Sequence, residues 1–281
     1  MIYKEFDFIF RNTFFYGQYW QSPFTKAVVL LVHGMGEHSG RYANFVVPKL
    51  LENNVSVITY DQYGHGKTQG KKGHNPGFDA LLDCVEIMLM QAKDIFNNVP
   101  YFLYGHSMGG NVVLNYILRR KNDLIGAIAT SPFLRLAFTP PKWQLILGKL
   151  LQKIAPATTI PSGLEVKAIS RDHMEVQKYL NDPLVHDKIS PNYSITMINT
   201  GEWLIKNAKK LNKPLLLLHG TGDRLTSFKA SQEFYKNSNS NASLKLFEKG
   251  YHELHNDICK EEMIETIVQW IKTQLKAKNN S

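Results

Sequence analysis

The sequence predicts an α/β protein with a mostly parallel central sheet, helices on both faces and one helical insertion. Two observations carry this. Apolar runs of strand length at 26–32, 55–60, 101–104, 124–130 and 214–218 recur between helically spaced segments, as buried parallel strands do. That rhythm then stops between 133 and 196, where proline and polar sequence hold no clear buried strand.

Taken in order, residues 3–20 alternate apolar and polar with Phe6, Phe8 and Phe10 on one face. They read as an edge hairpin turning near Arg11 and Asn12. The apolar run at 26–32 ends in the glycine-punctuated loop His33-Gly34-Met35-Gly36-Glu37-His38-Ser39-Gly40-Arg41-Tyr42. A helix through Phe45, Val46, Leu50 and Leu51 leads to the strand at 55–60 and the loop Asp61-Gln62-Tyr63-Gly64-His65-Gly66. A helix at about 78–96 precedes the strand at 101–104, and the run from Asn111 to Leu118 has helical spacing. After the insertion come a helix at about 203–211, the strand at 214–218, a polar helix at 229–236 and a strand at 244–247. A last helix carries Met263, Ile264, Ile267, Val268 and Ile271. The chain therefore divides into an α/β core, residues 1–132 and 197–281, and an inserted lid, 133–196.

One segment of the insertion has a clear helical face: Trp143, Ile146, Leu147, Leu150, Leu151 and Ile154, with Leu145 outside it and Lys142, Lys149 and Lys153 along one flank. Such a helix packs its apolar face onto the domain below, or lies on a membrane surface with its lysines toward the headgroups. A lid over an apolar site could do both.

A chain of 281 residues can bury a full core. Its composition is that of a globular protein, with disorder expected only in the tail 276–281. Charges interleaved at 1–7 are unlike a signal peptide, and no apolar run approaches a membrane span. Cys84 and Cys259 make no disulfide framework and have no metal-ligand company, so a reducing cytoplasm is the expected compartment. The net charge of +9 is spread along the chain without the motifs of nucleic-acid modules, so a solvated basic surface is expected and nucleic acid is not a partner. Attraction to anionic lipid surfaces is the second reading of the same charge.

The stretch that concentrates chemistry is Gly105-His106-Ser107-Met108-Gly109-Gly110, between a strand and a helix. The pattern G-x-S-x-G in that context lifts a serine hydroxyl on a strained turn, where only glycine tolerates the crowding. A serine needs a base, and the base an orienting acid, each beyond the carboxyl end of a later strand. Asp223 follows the strand at 214–218 and His252 the strand at 244–247. Among ten histidines, His255 is the main rival to His252 and is expected to point along the start of the last helix. His106 should diverge from its neighbour Ser107, and His33 is expected to be structural. His252 and His255 stand three apart, not the four of a zinc H-E-x-x-H site. Asp182 and Asp187 lie in the insertion, a poor place for a rigid acid. The oxyanion donors of this architecture are the backbone N–H groups of Met108 and Met35.

With these residues assembled, the chain resembles the monoacylglycerol lipase and lysophospholipase family of α/β-hydrolases. The likeness rests on the 33–42 loop, Asp61 with Gly64-His65-Gly66, the 105–110 stretch, Asn181-Asp182-Pro183-Leu184, Gly222-Asp223-Arg224-Leu225 and Tyr251-His252-Glu253-Leu254-His255. One departure is Thr68, where the family commonly has serine. The resemblance implies Ser107 as nucleophile, Asp223 as acid, His252 as base, Met35 and Met108 as oxyanion donors, and a lid with an apolar channel for one acyl chain. The expected activity is cofactor-free hydrolysis of single-chain lipid esters, monoacylglycerol first. Lysophospholipid, short-ester or thioester hydrolysis is the alternative, and a non-catalytic lipid binder or receptor the alternative of another class. Epoxide and haloalkane hydrolases of this fold use an aspartate nucleophile, which Ser107 argues against.

Overall fold

A computed structural model describes residues 1–279. The sheet has eight strands, built first by the hairpin β1 (Ile2–Phe10) and β2 (Thr13–Gln21). Arg11 and Asn12 both take positive φ, the conformation a two-residue turn between twisted strands requires. The sheet continues through β3 (Ala27–Val32), β4 (Val55–Tyr60), β5 (Tyr101–His106) and β6 (Gly126–Thr130). Its remaining strands, β9 (Leu215–Gly220) and β10 (Ala242–Phe247), follow the insertion. In spatial order the strands run β1, β2, β4, β3, β5, β6, β9, β10. Pairing is antiparallel at β1–β2 and β2–β4 and parallel elsewhere.

Alternation along β3 shows how the sheet is covered. Val28, Leu30 and Val32 face one apolar cluster, while Ala27, Val29 and Leu31 face the other. The first cluster packs under helices α2 (Phe78–Ile95) and α3 (Met108–Arg119). The second packs under α1 (Val46–Glu52) and the last helix, α8 (Lys260–Asn279). The tail expected to be disordered from 276 is helical through Asn279, and Asn280 and Ser281 lie outside the described residues.

Between β6 and β9 the chain holds more helix than the single segment expected. It forms α4 (Lys142–Ile154), the two-residue strand β7 (Ile160–Pro161), α5 (His173–Asn181), the two-residue strand β8 (Lys188–Ile189) and α6 (Pro191–Asn207). After α6 come β9 (Leu215–Gly220), α7 (Phe228–Asn237) and β10 (Ala242–Phe247). The helix expected to start near Trp203 begins twelve residues earlier. The Ser190 hydroxyl accepts from Tyr193 N–H, and Pro191 occupies the first turn. The boundary expected between 196 and 197 therefore falls inside α6, a helix that packs on α4 and also on α3 and α7.

Helix α4 turns over the expected packing. No residue of α4 is buried; Trp143, Ile146, Leu147, Leu150 and Ile154 are exposed, Ile146 to 69%. The side toward α6 carries Gly148, where an added Cβ would lie 2.9 Å from Ile195, and Gln152, whose amide donates to Thr196 Oγ1 at 3.2 Å. Leu145, outside the apolar stripe, is half-buried and faces Ile198 across an apolar groove. Close helix approach at Gly148 selects this side, leaving the wider stripe outward.

Candidate active site

The site is built at the carboxyl ends of β3, β5, β9 and β10. After β5 the chain reverses within one residue, placing Ser107 at φ 52° before α3 begins. An added Cβ at Gly105 would lie 2.3 Å from Gly109 O, and one at Gly109 would lie 2.1 Å from Val32 O. No side chain fits at either position, so the glycines are steric requirements of the turn. Ser107 N–H donates to Thr130 O at 2.9 Å, tying the turn to β6.

Ser107, His252 and Asp223, from three separate loops, form one hydrogen-bonded series. His252 Nε2 lies 2.9 Å from Ser107 Oγ and His252 Nδ1 lies 2.7 Å from Asp223 Oδ2. All three are buried, the Asp223 side chain fully. Burial opposes the Asp223 charge, but the facing His252 and the His219 hydrogen bond hold the carboxyl well below the usual carboxylate range. Burial likewise opposes protonation of His252, and the adjacent Asp223 carboxylate outweighs it, raising its pKa above the ordinary histidine value. A carboxylate-oriented imidazole beside a hydroxyl can take that hydroxyl's proton and return it.

The 33–42 loop is held by a second buried network. Glu37 Oε1 accepts from Gly34 N–H at 2.6 Å and from Tyr42 Oη at 2.8 Å. Arg41 spans Glu37 and Glu253, donating to Glu253 at 2.6 and 2.7 Å. It thereby joins this loop to the one that carries His252. His33 is structural in kind: its Nε2 accepts from Gln62 N–H at 2.9 Å. Met35 lines a cavity of about 30 Å³ at Ser107, with His106, Leu164, Ile169 and Tyr179. Met108 is the first residue of α3, so its N–H is among the donors that a helix start leaves unpaired within the helix.

His255 does not point along α8. It is buried with its ring stacked 4.6 Å from Tyr42, at the first loop rather than at Ser107. It sits in a short helical turn, 254–256, whose three residues are all buried. His106 leaves the serine as expected, its Nδ1 lying 3.1 Å from Thr130 Oγ1. Asp182 pairs with His38 at 2.9 Å and Asp187 with Lys188 at 3.1 Å, so neither meets His252. Sequence reasoning did not single out His219 and Thr226, which also bind Asp223, nor Tyr179, brought to the cavity by α5. The available signal for His219 was its position at the end of β9, four residues before Asp223.

Fold and site together define a serine hydrolase of the α/β-hydrolase class. Residues 23–258 match the family model described as serine aminopeptidase, S33. The chain is 39% identical over 259 residues to an uncharacterized abhydrolase domain-containing protein of Dictyostelium discoideum, covering 91% of this chain and only 27% of that protein. It is 32% identical over 273 residues to the monoglyceride lipase homolog of monkeypox virus, covering 94% of this chain and 96% of that one. The crystal structure of Paleococcus ferrophilus monoacylglycerol lipase superposes with a TM-score of 0.86 at 32% identity, covering 92% of this chain and 99% of that chain. The chain belongs to this monoglyceride-lipase-like family of α/β-hydrolases, and it is a hydrolase.

Proposed function

We propose that the protein hydrolyses the ester of single-chain lipids, monoacylglycerol first, without a cofactor. The hydrogen-bonded series from Ser107 through His252 to Asp223 carries the reading. Ser107 Oγ attacks the ester carbonyl while His252 takes its proton and the Asp223 carboxylate stabilises the resulting imidazolium. The N–H groups of Met35 and Met108 bind the oxyanion. His252 then protonates the departing glycerol, and a water activated by the same imidazole releases the fatty acid.

Residues 133–196 act as a lid in this reading, with α6 shared between lid and core. The apolar groove between α4 and α6, about 570 Å³ and bordered by Leu145, Leu151, Ile195 and Ile198, suits an acyl chain. The exposed stripe of α4, flanked by Lys142, Lys149 and Lys153, suits transient contact with a membrane surface. No helix among the described residues is long and apolar enough to cross a membrane. A cytoplasmic protein working at the membrane periphery fits that stripe and two cysteines that are both free.

Steady-state hydrolysis of a monoacylglycerol beside a lysophospholipid of equal chain length tests the proposal, with Ser107→Ala as control. Faster monoacylglycerol turnover, lost in the variant, is expected. Preference for the lysophospholipid would move the substrate while keeping the mechanism, and turnover of neither would sink the lipid assignment.

A further inference from the structure

Asp223 has more partners than the triad uses. Its Oδ1 accepts from the backbone N–H groups of Leu225 at 2.7 Å and Thr226 at 3.0 Å. Around Oδ2 stand His252 Nδ1 at 2.7 Å, Thr226 Oγ1 at 2.9 Å and His219 Nε2 at 3.1 Å. Thr226 has one hydroxyl proton but two acceptors in reach, the second being Ser131 O at 3.1 Å. His219 therefore matters as a donor.

Its tautomer follows from its neighbours. His219 Nε2 faces two acceptors, the Asp223 carboxylate and Thr226 O at 3.3 Å. The one hydroxyl in reach, Thr226 Oγ1 at 3.4 Å, lies closer to Asp223 Oδ2 and Ser131 O, so a lone pair on Nε2 would be repelled. The proton belongs on Nε2. On the other side of the ring, Nδ1 lies 2.8 Å from Ser231 Oγ on α7, whose hydroxyl donates to it. Both His219 and Ser231 are fully buried, so no water substitutes for either contact. The outcome is a five-residue chain, Ser231, His219, Asp223, His252, Ser107, in which one carboxylate oxygen lies between two histidines, each facing a serine.

We propose that His219 is a positioning residue for the reaction: held by Ser231, it occupies the second side of Asp223 Oδ2 and keeps that oxygen aimed at His252. The inference rests on the roles given above to Ser107, His252 and Asp223. Because His219 shares the carboxylate with His252, removing its N–H concentrates the Asp223 charge on the His252 imidazolium. The base then titrates at higher pH, and its ring is less firmly oriented.

The test is the pH profile of kcat/KM for monoacylglycerol hydrolysis by wild type, His219→Leu, His219→Gln and Ser231→Ala. In His219→Leu, kcat is expected to fall roughly ten- to a hundredfold with KM little changed. The acid limb should move up by about one pH unit. Gln places an amide N–H near the Nε2 position and should restore most of both. Ser231→Ala frees the tautomer and should move both quantities in the same direction by a smaller amount, which keeps the test open if His219→Leu fails to fold. Glu253, Glu37, His106 and His255 also act on His252 and are untouched by these variants, so the shift reports Asp223. Variants that only lose thermal stability, with the wild-type acid limb and kcat, overturn the inference and make His219 a filler. Wild type that hydrolyses no lipid ester, or does so equally as Ser107→Ala, overturns instead the proposed function.

Discussion

The carboxyl ends of the sheet and the insertion above them are built on opposite terms. At the sheet, Asp223 and His252 are buried and hydrogen-bonded, and the loops that supply the site are joined by Arg41, which pairs with Glu37 and Glu253 through a side chain only 8% exposed. In the insertion, α4 buries no residue and leaves five large apolar side chains in solvent. Buried polar networks fix one geometry because each unmade bond is costly. An exposed apolar stripe instead costs little to move. Reaction chemistry therefore belongs to the first region, and access to an apolar substrate to the second.

The largest effect that sharpens this contrast is chemical. Ser107→Ala should lower kcat about 10⁴-fold or more while the melting temperature changes little, measured by hydrolysis and calorimetry on the same preparation. Arg41→Leu should act on stability: it leaves Glu37 and Glu253 as unpaired buried carboxylates, at a cost of about 3–5 kcal/mol in urea unfolding. A loss under 1 kcal/mol would mean the network is solvated and the contrast is weaker than drawn.

A smaller effect is in pH. Protonated His252 cannot take the Ser107 proton, and its folded pKa is raised, so activity is present above that value and lost as pH falls through it. The acid limb of kcat/KM should have its midpoint above the ordinary histidine value of about 6.5; a midpoint below it contradicts the Asp223 pairing. Smallest of all is the stability effect in α4. Ile146→Ser with Leu150→Ser should change unfolding free energy by only about 0.5 kcal/mol. The same pair should slow hydrolysis of vesicle-bound monoacylglycerol several-fold and spare a water-soluble short ester. Equal loss on both substrates would place α4 in the chemistry instead.

The same division explains what could be read from the sequence. Strands of the core announce themselves because a parallel strand buried on both faces must be apolar throughout, as β3 and β9 are. Ser107 and Asp223 were legible because each follows such a strand, β5 and β9; His252 follows β10, a partly exposed edge strand, and was legible because the serine needs a base beyond a later strand. The facing of α4 was not, since its stripe is apolar while its packing is decided by one glycine, Gly148, and a polar contact from Gln152. The start of α6 at Pro191 was signalled by Ser190 and Pro191 but masked by the polar run behind them. The direction of His255 depends on a stack with Tyr42, more than two hundred residues away, and no local pattern encodes that.

The measurement that tests the central claim most directly is active-site labelling with an acyl-like organophosphonate, followed by mass spectrometry of the labelled peptide. The account predicts one equivalent of label on Ser107, none on any residue of Ser107→Ala, labelling slowed by orders of magnitude in His252→Ala, and a rate near wild type in His255→Ala. Label on another residue, or slowing only in His255→Ala, would contradict it.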